Sequence, residues 1–338
     1  LSTVKATTVR PYSGELLTIK PRCLPAIRIT PEHSILVAPV KRSARRNIWR
    51  GKPIIIGDST WKLARDVIPW DSRKKRQQYD AVIVPKNLLP EYQRTFVHWS
   101  PYVKVKKHSS RGGELNPRGR AYLKRWEITP ELAEFFGWYI ADGSRGGAKT
   151  NSVTIACDGR DLSQAARVRW LIAKCFGLKS YVRTRSKSSV LIVGFTSKVL
   201  RRALPEICGY TSHSKRVPRF IIEGSKDVVR GFLAGYIAGD GTSRPNSVGQ
   251  RSAISCSRNL IFQVALLLLK VGIVPGYCQR RVGERVIRNK TIRPGIYHMI
   301  YWTGNIRRRY HLEDENNFYF PIKNVSVEPF DGYVYNFS

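Results

Sequence analysis

An apolar sequence rich in small residues occurs twice in this chain, and each copy ends in an aspartate followed by a glycine. The copies are FFGWYIADG at residues 135–143 and LAGYIAGDG at residues 233–241. Small residues recur at every fourth position, namely Ala133, Gly137 and Ala141 in the first copy and Gly231, Gly235 and Gly239 in the second. A spacing of four keeps such residues on one stripe of an α-helix. We therefore predict two helices whose backbones approach more closely than the usual interaxial distance of about 8–10 Å.

Start and stop signals bound both predicted helices. Thr129 and Pro130 precede the first run as an N-cap and a first helical residue, and Ser225 is an N-cap before the second. Gly143 and Gly241 follow the aspartates, as glycine commonly does where a helix ends. Glycines inside a helix cost roughly 0.5–1 kcal/mol each relative to alanine, and close packing of the two backbones would offset that cost.

The two aspartates, Asp142 and Asp240, emerge side by side if the small-residue stripes face each other. That position is unfavourable for anions, because a helix C-terminus carries partial negative charge and neighbouring carboxylates repel. A divalent cation removes both problems, and carboxylates completed by water and phosphate oxygens are the ligands that Mg²⁺ prefers. The alternative is that each Asp-Gly is a turn with a solvated side chain. Duplication of the motif on a basic chain favours a metal site suited to phosphodiester hydrolysis.

Basic residues dominate the charge of the chain. There are 59 Lys and Arg against 24 Asp and Glu, which gives a formal net charge of +35. The excess is spread along a sequence that is 42% hydrophobic, so a solvated basic tail is a poor explanation. Such a charge binds a polyanion, and nucleic acid is the default partner because neutralising phosphates releases counterions. The alternatives are a merely soluble basic protein and one that lies on acidic lipid.

Cysteine usage and hydropathy limit the setting in which the chain works. The six cysteines are scattered without a C-x-x-C pair, which predicts neither a zinc site nor a disulfide framework. The most apolar stretch, residues 264–274, is too short to span a bilayer and contains Lys270, and the first residues do not resemble a signal peptide. We therefore expect a soluble intracellular protein of the cytoplasm, nucleoid or nucleus, with no membrane partner.

The order of predicted elements is repeated through the middle of the chain. Each motif helix is followed by a strand, a helix and two strands, at 152–157, 162–178, 181–185 and 190–195 in the first copy and at 252–256, 259–273, 276–282 and 296–302 in the second. Two copies predict a core with pseudo-two-fold symmetry. The alternative is chance similarity of two α/β stretches, and the shared order and terminal acid argue against it.

The two ends of the chain have a pattern of short strands instead. Residues 1–40 alternate in this way, with turns predicted at YSG (12–14) and TPEH (30–33), and the last segment does so around a DG turn at 331–332. Between these ends and the repeat, residues 101–125 are basic and rich in Gly, Ser and Pro. That composition predicts a linker or a DNA-contacting loop.

The two motifs resemble the signature motifs of LAGLIDADG homing endonucleases in their single-chain form. They match in small residues, apolar pattern and final Asp-Gly, although neither reproduces the consensus letter for letter. The resemblance implies an α+β fold, with a pseudo-two-fold αββαββα saddle at 126–312 (halves 126–214 and 215–312) whose sheets lie in the DNA major groove. It also implies that Asp142 and Asp240, with the preceding Ala141 and Gly239, form the metal site, and that cleavage across the minor groove leaves short 3′ overhangs.

A second resemblance adds an active-site lysine. The sequence KRVPRFI at 215–221 is similar to the Lys-(Arg/Lys)-Ile/Val-Pro block of intein-encoded endonucleases, which would place Lys215 near the scissile phosphate. A surface lysine that contacts DNA or solvent is the alternative. Lys323 is the candidate for the other half, chosen only because it lies between the endonuclease region and the closing strands. Arginines on predicted strands are candidates for base or phosphate contacts: Arg183, Arg185, Arg280, Arg281, Arg288 and Arg293.

The outer segments, 1–100 and 313–338, resemble the all-β splicing (Hint) domain of inteins. ITPEHSILV at 29–37 is similar to the Thr-x-x-His block, in which Thr30 and His33 would activate the N-terminal scissile peptide bond. WKLARDVIPWD (61–71) resembles the segment that closes the first half of that domain, and FDGYVYNFS (330–338) resembles the penultimate splicing block. The sequence has neither the nucleophilic Cys or Ser block nor the terminal His-Asn, so we expect no splicing. A degenerate intein, a free-standing endonuclease with Hint strands and a shortened chain all fit, and His33 as a plain turn residue is the alternative.

The leading hypothesis is a monomeric, Mg²⁺-dependent endonuclease that cuts both strands of double-stranded DNA at a long specific site, with Mn²⁺ as a substitute metal. The rival is a non-cleaving nucleic-acid binder on the same scaffold, such as an RNA maturase or a DNA-binding regulator. Retention of both acids favours the enzyme, since clustered carboxylates repel phosphate and give a binder nothing. An autoprocessing Hint protein is disfavoured by the missing nucleophile and asparagine.

Overall fold

A computed structural model describes residues 6–41, 55–71, 78–87, 89, 95–98, 100–102, 125–146, 150–184, 189–243, 250–287, 290–292, 294–303 and 311–337. The fold within these ranges is mixed α/β. Its helices are α1 (Pro130–Asp142), α2 (Leu162–Phe176), α3 (Lys198–Cys208), α4 (Arg219–Ile222), α5 (Lys226–Asp240) and α6 (Arg258–Lys270). Its strands are β1 (Thr7–Pro21), β2 (Ile27–Ile29), β3 (Ser34–Lys41), β4 (Ile55–Ile56), β5 (Thr60–Leu63), β6 (Gln78–Pro85), β7 (Phe96–His98), β8 (Arg125–Glu127), β9 (Gly143–Arg145), β10 (Ser152–Asp158), β11 (Ser180–Thr184), β12 (Val190–Thr196), β13 (Gly241–Ser243), β14 (Gln250–Ser255), β15 (Gly276–Val282), β16 (Arg285–Ile287), β17 (Lys290–Ile292), β18 (Gly295–Thr303), β19 (Leu312–Glu313) and β20 (Asn317–Phe337).

Helices α1 and α5 are the two motif helices, and their predicted starts are confirmed. The Thr129 hydroxyl accepts a hydrogen bond from the backbone N–H of Leu132 at 3.2 Å, and Pro130 is the first residue of α1. The Ser225 hydroxyl accepts one from the N–H of Val228 at 3.4 Å. Each cap satisfies one of the backbone donors that have no partner within the first turn of a helix.

The predicted ends of the same helices are also confirmed, but glycine follows them for a reason other than left-handed backbone. Gly143 and Gly241 are both extended, with φ of −77°. A Cβ at Gly143 would collide with the carbonyl and ring of Tyr139, and one at Gly241 with the carbonyl of Ile237. Glycine therefore lets the chain leave each helix directly into a strand, β9 or β13, without a loop.

Helices α1 and α5 contact each other backbone to backbone along the predicted small-residue stripes. A Cβ added to Gly231 would overlap the carbonyl of Pro130, and one added to Gly235 would overlap the carbonyl of Glu134. Gly137 is enclosed in the same way by the backbone of α5. These contacts pair the starts and then the middles of the two helices, so the helices run parallel and their C-termini lie together.

The repeated order of elements is confirmed on both sides of this helix pair. The first half forms the sheet β11-β12-β10-β9, and the second forms the sheet β13-β14-β18-β15. Equivalent residues keep one spacing, since Ser144 pairs with Thr154 and, 98 residues later, Thr242 pairs with Ser252. Helices α2 and α6 pack on the sheets, and one core of buried side chains runs through both halves and the motif helices.

Several elements in the repeat region were not predicted from the sequence, among them the short strands β9 and β13. Helix α3 buries Val199, Leu200 and Leu204 at helical spacing, but Pro205 interrupts its pattern. Helix α4 is a single turn, and the hairpin β16-β17 is inserted between the last two strands of the second sheet. Short elements of this kind carry too few periodic residues to stand out from loops.

Both ends of the chain enter one separate sheet, with the order β2-β1-β20-β6-β3-β4. Strand β1 pairs antiparallel with β20 over its whole length, from Thr7 opposite Phe337 to Pro21 opposite Ile322. This outer sheet contacts the repeat region at α6, where Leu269 packs with Phe318 and Phe320.

Two of the predicted turns in these end segments are wrong. Residues 12–14 lie inside β1 and residues 331–332 lie inside β20, and the two sites pair with each other, with Ser13 opposite Asp331. Long-range strand pairing therefore overrides the local preference of Ser-Gly and Asp-Gly for turns. The third predicted turn, at Thr30–His33, is confirmed by a hydrogen bond of 3.1 Å from the N–H of His33 to the carbonyl of Thr30.

Candidate active site

The two motif acids lie at the adjoining C-terminal ends of α1 and α5. A Cβ added to Gly239 would come within 3.1 Å of the Asp142 carboxylate oxygen Oδ2, so Asp142 of one helix lies against the residue that precedes Asp240 on the other. Asp142 is exposed and Asp240 is half-buried. The stripe of small residues is what allows this approach, because Gly239 itself faces Ala141 with no space for a side chain.

Lys215 reaches the same place from the loop between α3 and α4. Its Nζ donates a hydrogen bond of 2.8 Å to the carbonyl of Ala141, the residue before Asp142. The backbone of this loop is fixed by α6, because the Ser257 hydroxyl donates to the Lys215 carbonyl at 2.7 Å and the Gln263 side chain accepts from the N–H of Val217 at 2.7 Å. Lys215 is therefore an anchored side chain at the acid pair, bonded to a carbonyl that a helix C-terminus leaves free.

Both acids have raised pKa values, and Asp240 is the more buried of the two. Desolvation raises the pKa of Asp240 to about 6, with the Lys215 ammonium lowering it and the Asp142 charge raising it. Desolvation likewise raises the pKa of Asp142, against the lowering effect of Lys215. Because both carboxylates also lie at the negative ends of helix dipoles, the site is short of positive charge when both are ionised.

We expect Asp240→Asn to stabilise the metal-free protein at pH 7.5 by about 1–2 kcal/mol, a value reduced from the full pKa shift because the side chain is partly solvated. The folded pKa lies above the unfolded one, so the wild type loses stability as pH rises through about 6, whereas asparagine does not titrate. The gain should vanish below about pH 4, where the carboxyl is protonated in both states. Urea denaturation in EDTA at the two pH values measures it, and Asp227→Asn, exposed on the same helix, is the control. An equal gain at both pH values would contradict the electrostatic cause.

The residues at the helix ends fit a hard divalent cation. Among the described residues no group of three or more His, Cys, Asp and Glu side chains comes together, so a cation held by Asp142 and Asp240 takes its remaining ligands from carbonyls, water or a bound phosphate. That ligand set suits Mg²⁺, which keeps several waters. The hydroxyl of Tyr236 supports the fit, since it is buried without a hydrogen-bond partner among the described residues and feels the charge of Asp240. A water or ligand oxygen would satisfy it.

The remaining predicted residues lie at several places. Lys323 is exposed on β20 in the outer sheet, and its role in the second half stays a prediction. His33 is exposed in the turn that begins at Thr30. The backbone carbonyls of this turn accept hydrogen bonds from the N–H groups of Ala64 and Arg65. Arg185, Arg288 and Arg293 lie outside the described residues, as do residues 103–124 of the predicted linker.

The three described arginines of the predicted DNA interface do not share one face. Arg183 pairs with Ile192 and Arg280 pairs with Tyr297, and by strand alternation both point away from the helices. Arg281 pairs with Ile296 and so alternates to the opposite side of its strand. The sequence alone does not show which of the two adjacent arginines, Arg280 or Arg281, points to the open face. The register of β15 on β18 is needed for that.

A comparison with known protein families matches the second motif helix, α5, and the elements that follow it. Residues 227–311 match the family model of the LAGLIDADG-like domain, a range that starts in α5 and ends beyond β18. This part of the chain therefore has the sequence pattern of a LAGLIDADG-like domain. No helix in the described part of the chain is long and apolar enough to cross a membrane.

Two relatives of the chain are longer proteins of unrelated kinds, a DNA polymerase and a subunit of an ATP synthase. The chain is 26% identical to a DNA polymerase of Thermococcus kodakarensis over 231 residues, which are 63% of this chain and 13% of the relative. It is 23% identical to a subunit of the A-type ATP synthase of Pyrococcus abyssi over 290 residues, 84% of this chain and 24% of the relative. The chain thus spans less than a quarter of either protein. A crystal structure of I-DmoI in complex with DNA and Mn is similar with 14% identity and a TM-score of 0.36, covering 53% of this chain and 93% of that one.

Proposed function

We propose that this chain is a site-specific endonuclease of the LAGLIDADG type that hydrolyses both strands of double-stranded DNA with Mg²⁺, or Mn²⁺ in its place. The observation that carries the proposal is the pair of acids, Asp142 and Asp240, at adjoining helix ends with the ammonium of Lys215 beside them. A structural role does not explain this cluster, because ionised acids at helix C-termini destabilise a fold. Two carboxylates that can hold divalent cations, with a fixed positive charge beside them, suit phosphodiester hydrolysis.

Each residue has a distinct part in the proposed chemistry. Asp142 and Asp240 would hold the cations, with the carbonyl of Gly239 as a further oxygen ligand and the carbonyl of Ala141 shared with the Lys215 ammonium. Bound Mg²⁺ would supply an activated water and neutralise charge on the attacking and leaving oxygens of the phosphodiester. Lys215 adds a fixed positive charge, and its contact with the Ala141 carbonyl holds the ammonium where a scissile phosphate would lie. Lys323 is the proposed counterpart in the second half.

The proposed partner is a long, specific DNA duplex bound by one copy of the chain. The two sheets provide two half-site surfaces related by the helix pair, and the net charge of +35 supports binding along a phosphate backbone. Arg183 and Arg280, which point away from the helices, are the proposed contacts to bases or phosphates among the described arginines. Residues 126–312 form the proposed endonuclease domain.

We further propose that the outer sheet is a Hint-like splicing domain, so that the whole chain is an intein-type element. A polymerase and part of an ATP synthase have no function in common, yet a small share of each matches most of this chain. A mobile element inserted into unrelated proteins explains this distribution better than common ancestry of the chain with the polymerase or with the ATP synthase. The pairing of Thr7 with Phe337 is compatible with this, because it places residues far apart in the chain side by side in the outer sheet. Thr30 and His33 are the proposed remnant of a splicing block.

Selection of cleavage sites from a random duplex library, with Mg²⁺ and with EDTA, tests the proposed function. We expect the wild-type chain to cut a defined long site on both strands only with Mg²⁺, leaving short 3′ overhangs. Selective binding without cleavage under both conditions would favour the non-cleaving binder instead. Preference for a structured RNA over every duplex would also reject the endonuclease.

A further inference from the structure

The open face of each sheet carries one matched row of four residues, which begins two positions after each acid. In the first half the row crosses β9, β10, β12 and β11 as Ser144, Thr154, Gly194 and Tyr181. In the second half it crosses β13, β14, β18 and β15 as Thr242, Ser252, Tyr301 and Gly276. We call these the first and the second cross-strand row.

Both rows lie on the side of the sheet that the helices leave uncovered. The neighbours of Thr154 along β10, Val153 and Ile155, are fully buried against the helices, so Thr154 faces the other way. The neighbour of Tyr301 on β18, Ile300, is fully buried in the same manner. Tyr181 is 44% exposed, which a core aromatic would not be.

The tyrosine of each row lies across the glycine on the adjacent strand. A Cβ at Gly194 would come within 2.7 Å of ring atom Cε2 of Tyr181, and one at Gly276 within 2.7 Å of the hydroxyl oxygen of Tyr301. Glycine inside a strand commonly marks a place that another group approaches closely, and here that group is a phenol ring. Each ring is therefore held flat over the strand beside its own, and its hydroxyl is carried sideways across the open face.

The tyrosine lies across its glycine in opposite directions in the two halves. In the first half tyrosine stands on the edge strand β11 and reaches inward over β12, whereas in the second it stands on the inner strand β18 and reaches outward over the edge strand β15. The two hydroxyls thus differ by about one strand spacing, roughly 4.7–4.9 Å, in their place across otherwise equivalent sheets. That difference exceeds the rise of about 3.4 Å per base pair of DNA.

We propose that Tyr181 and Tyr301 are specificity-determining residues that contact base edges of the two half-sites at unequal distances from the cut, an inference that rests on the proposed endonuclease function. The other side chains of the rows are short hydroxyls or absent, so within each row the phenol is the group that extends over the face. A phenol hydroxyl both donates and accepts hydrogen bonds, as the base edges of the major groove require.

The test is a binding profile on the selected target with every base pair replaced in turn, measured in EDTA so that cleavage is not needed. Phenylalanine keeps the ring on its glycine and removes only the hydroxyl. We expect Tyr181→Phe to lose about five- to tenfold of base preference at one or two positions in one half-site, and Tyr301→Phe to do so in the other. The two affected positions should lie at different distances from the cut.

Tyr333→Phe is the matched control, because Tyr333 is also exposed but lies on the outer sheet. Profiles of the two row variants that equal the Tyr333→Phe profile would overturn the proposal, and so would losses at mirror-related positions. A wild-type chain that binds its site selectively but never cuts with Mg²⁺ refutes the endonuclease, and the tyrosine profile, with distances then counted from the centre of the bound site, still decides this inference. A wild-type chain without any base preference overturns both.

Discussion

Asparagine in place of Asp240 or of Asp142 will lower the rate of DNA cleavage by at least about a thousandfold, while the affinity for the target site stays within about threefold. Loss of one proposed metal ligand would remove several kcal/mol of charge stabilisation at the phosphate, and about 4 kcal/mol corresponds to a thousandfold change in rate. Binding should persist because it depends on the two sheets and the basic surface rather than on the acids. Removal of negative charge near phosphate favours binding slightly, so any change in affinity should be an increase.

Single-turnover cleavage of a linear duplex that carries the selected site, with Mg²⁺, measures the rate, and a gel-shift titration in EDTA measures the affinity. Asp227→Asn is the matched control, since it removes one carboxylate from the first turn of the same helix, far from the shared helix ends. Undiminished cleavage by Asp240→Asn would reject the assignment of that acid. Parallel loss of cleavage and binding in the Asp240→Asn protein would point to a structural role.

The motif helices were predictable because their signals are local. Caps, a four-residue period and a terminal acid are read within some fifteen residues, and helices α1 and α5 need no distant partner to define their limits. Two copies of one stripe then predict a contact, since the stripes have no other use that offsets the cost of glycine. The acid pair followed from that contact alone.

The position of Lys215 was not predictable in the same way. Resemblance to a known sequence block suggested this residue, but its position depends on Ser257, the N-cap of α6, and on Gln263 within α6, both more than forty residues further along the chain. The predicted turns within the long strands β1 and β20 were wrong for a related reason, because each strand pairs with the other from the opposite end of the chain. Such long-range pairing depends on two segments of the chain at once, so the residue pattern of one segment cannot predict it.

The cross-strand rows were also missed, although their residues are visible in the sequence. The positive charge of the chain favours arginines on strands as DNA contacts, but Arg281 points away from the open face. Tyr181 and Tyr301 carry no charge, and they lie on strands that are not equivalent in the two halves. Comparison of the two copies in the sequence therefore does not align them. Only the register shows that each is opposite a glycine.

Alanine in place of Gly235 will destabilise the protein by about 1–3 kcal/mol, although alanine is the better helix former. Gly235 is buried at the contact with α1, where a Cβ would overlap the carbonyl of Glu134 and come within 3.0 Å of Cδ1 of Trp138. Helix propensity alone predicts a gain of roughly 0.5–1 kcal/mol, so the sign of the measured change decides between propensity and packing. Urea denaturation measures it.

Ala234→Gly is the matched control, because Ala234 is exposed one position earlier on the same helix and the exchange is reversed. It should cost only the propensity difference, roughly 0.5–1 kcal/mol, and leave cleavage unchanged. Gly235→Ala should in addition lower cleavage by more than its stability loss explains, because pushing the backbones apart also separates Asp142 from Asp240, and a displacement of about 1 Å at a catalytic site costs about a hundredfold. A Gly235→Ala protein that is more stable than the wild type would show that the two helices do not need their close contact, and the shared acid site would lose its structural basis.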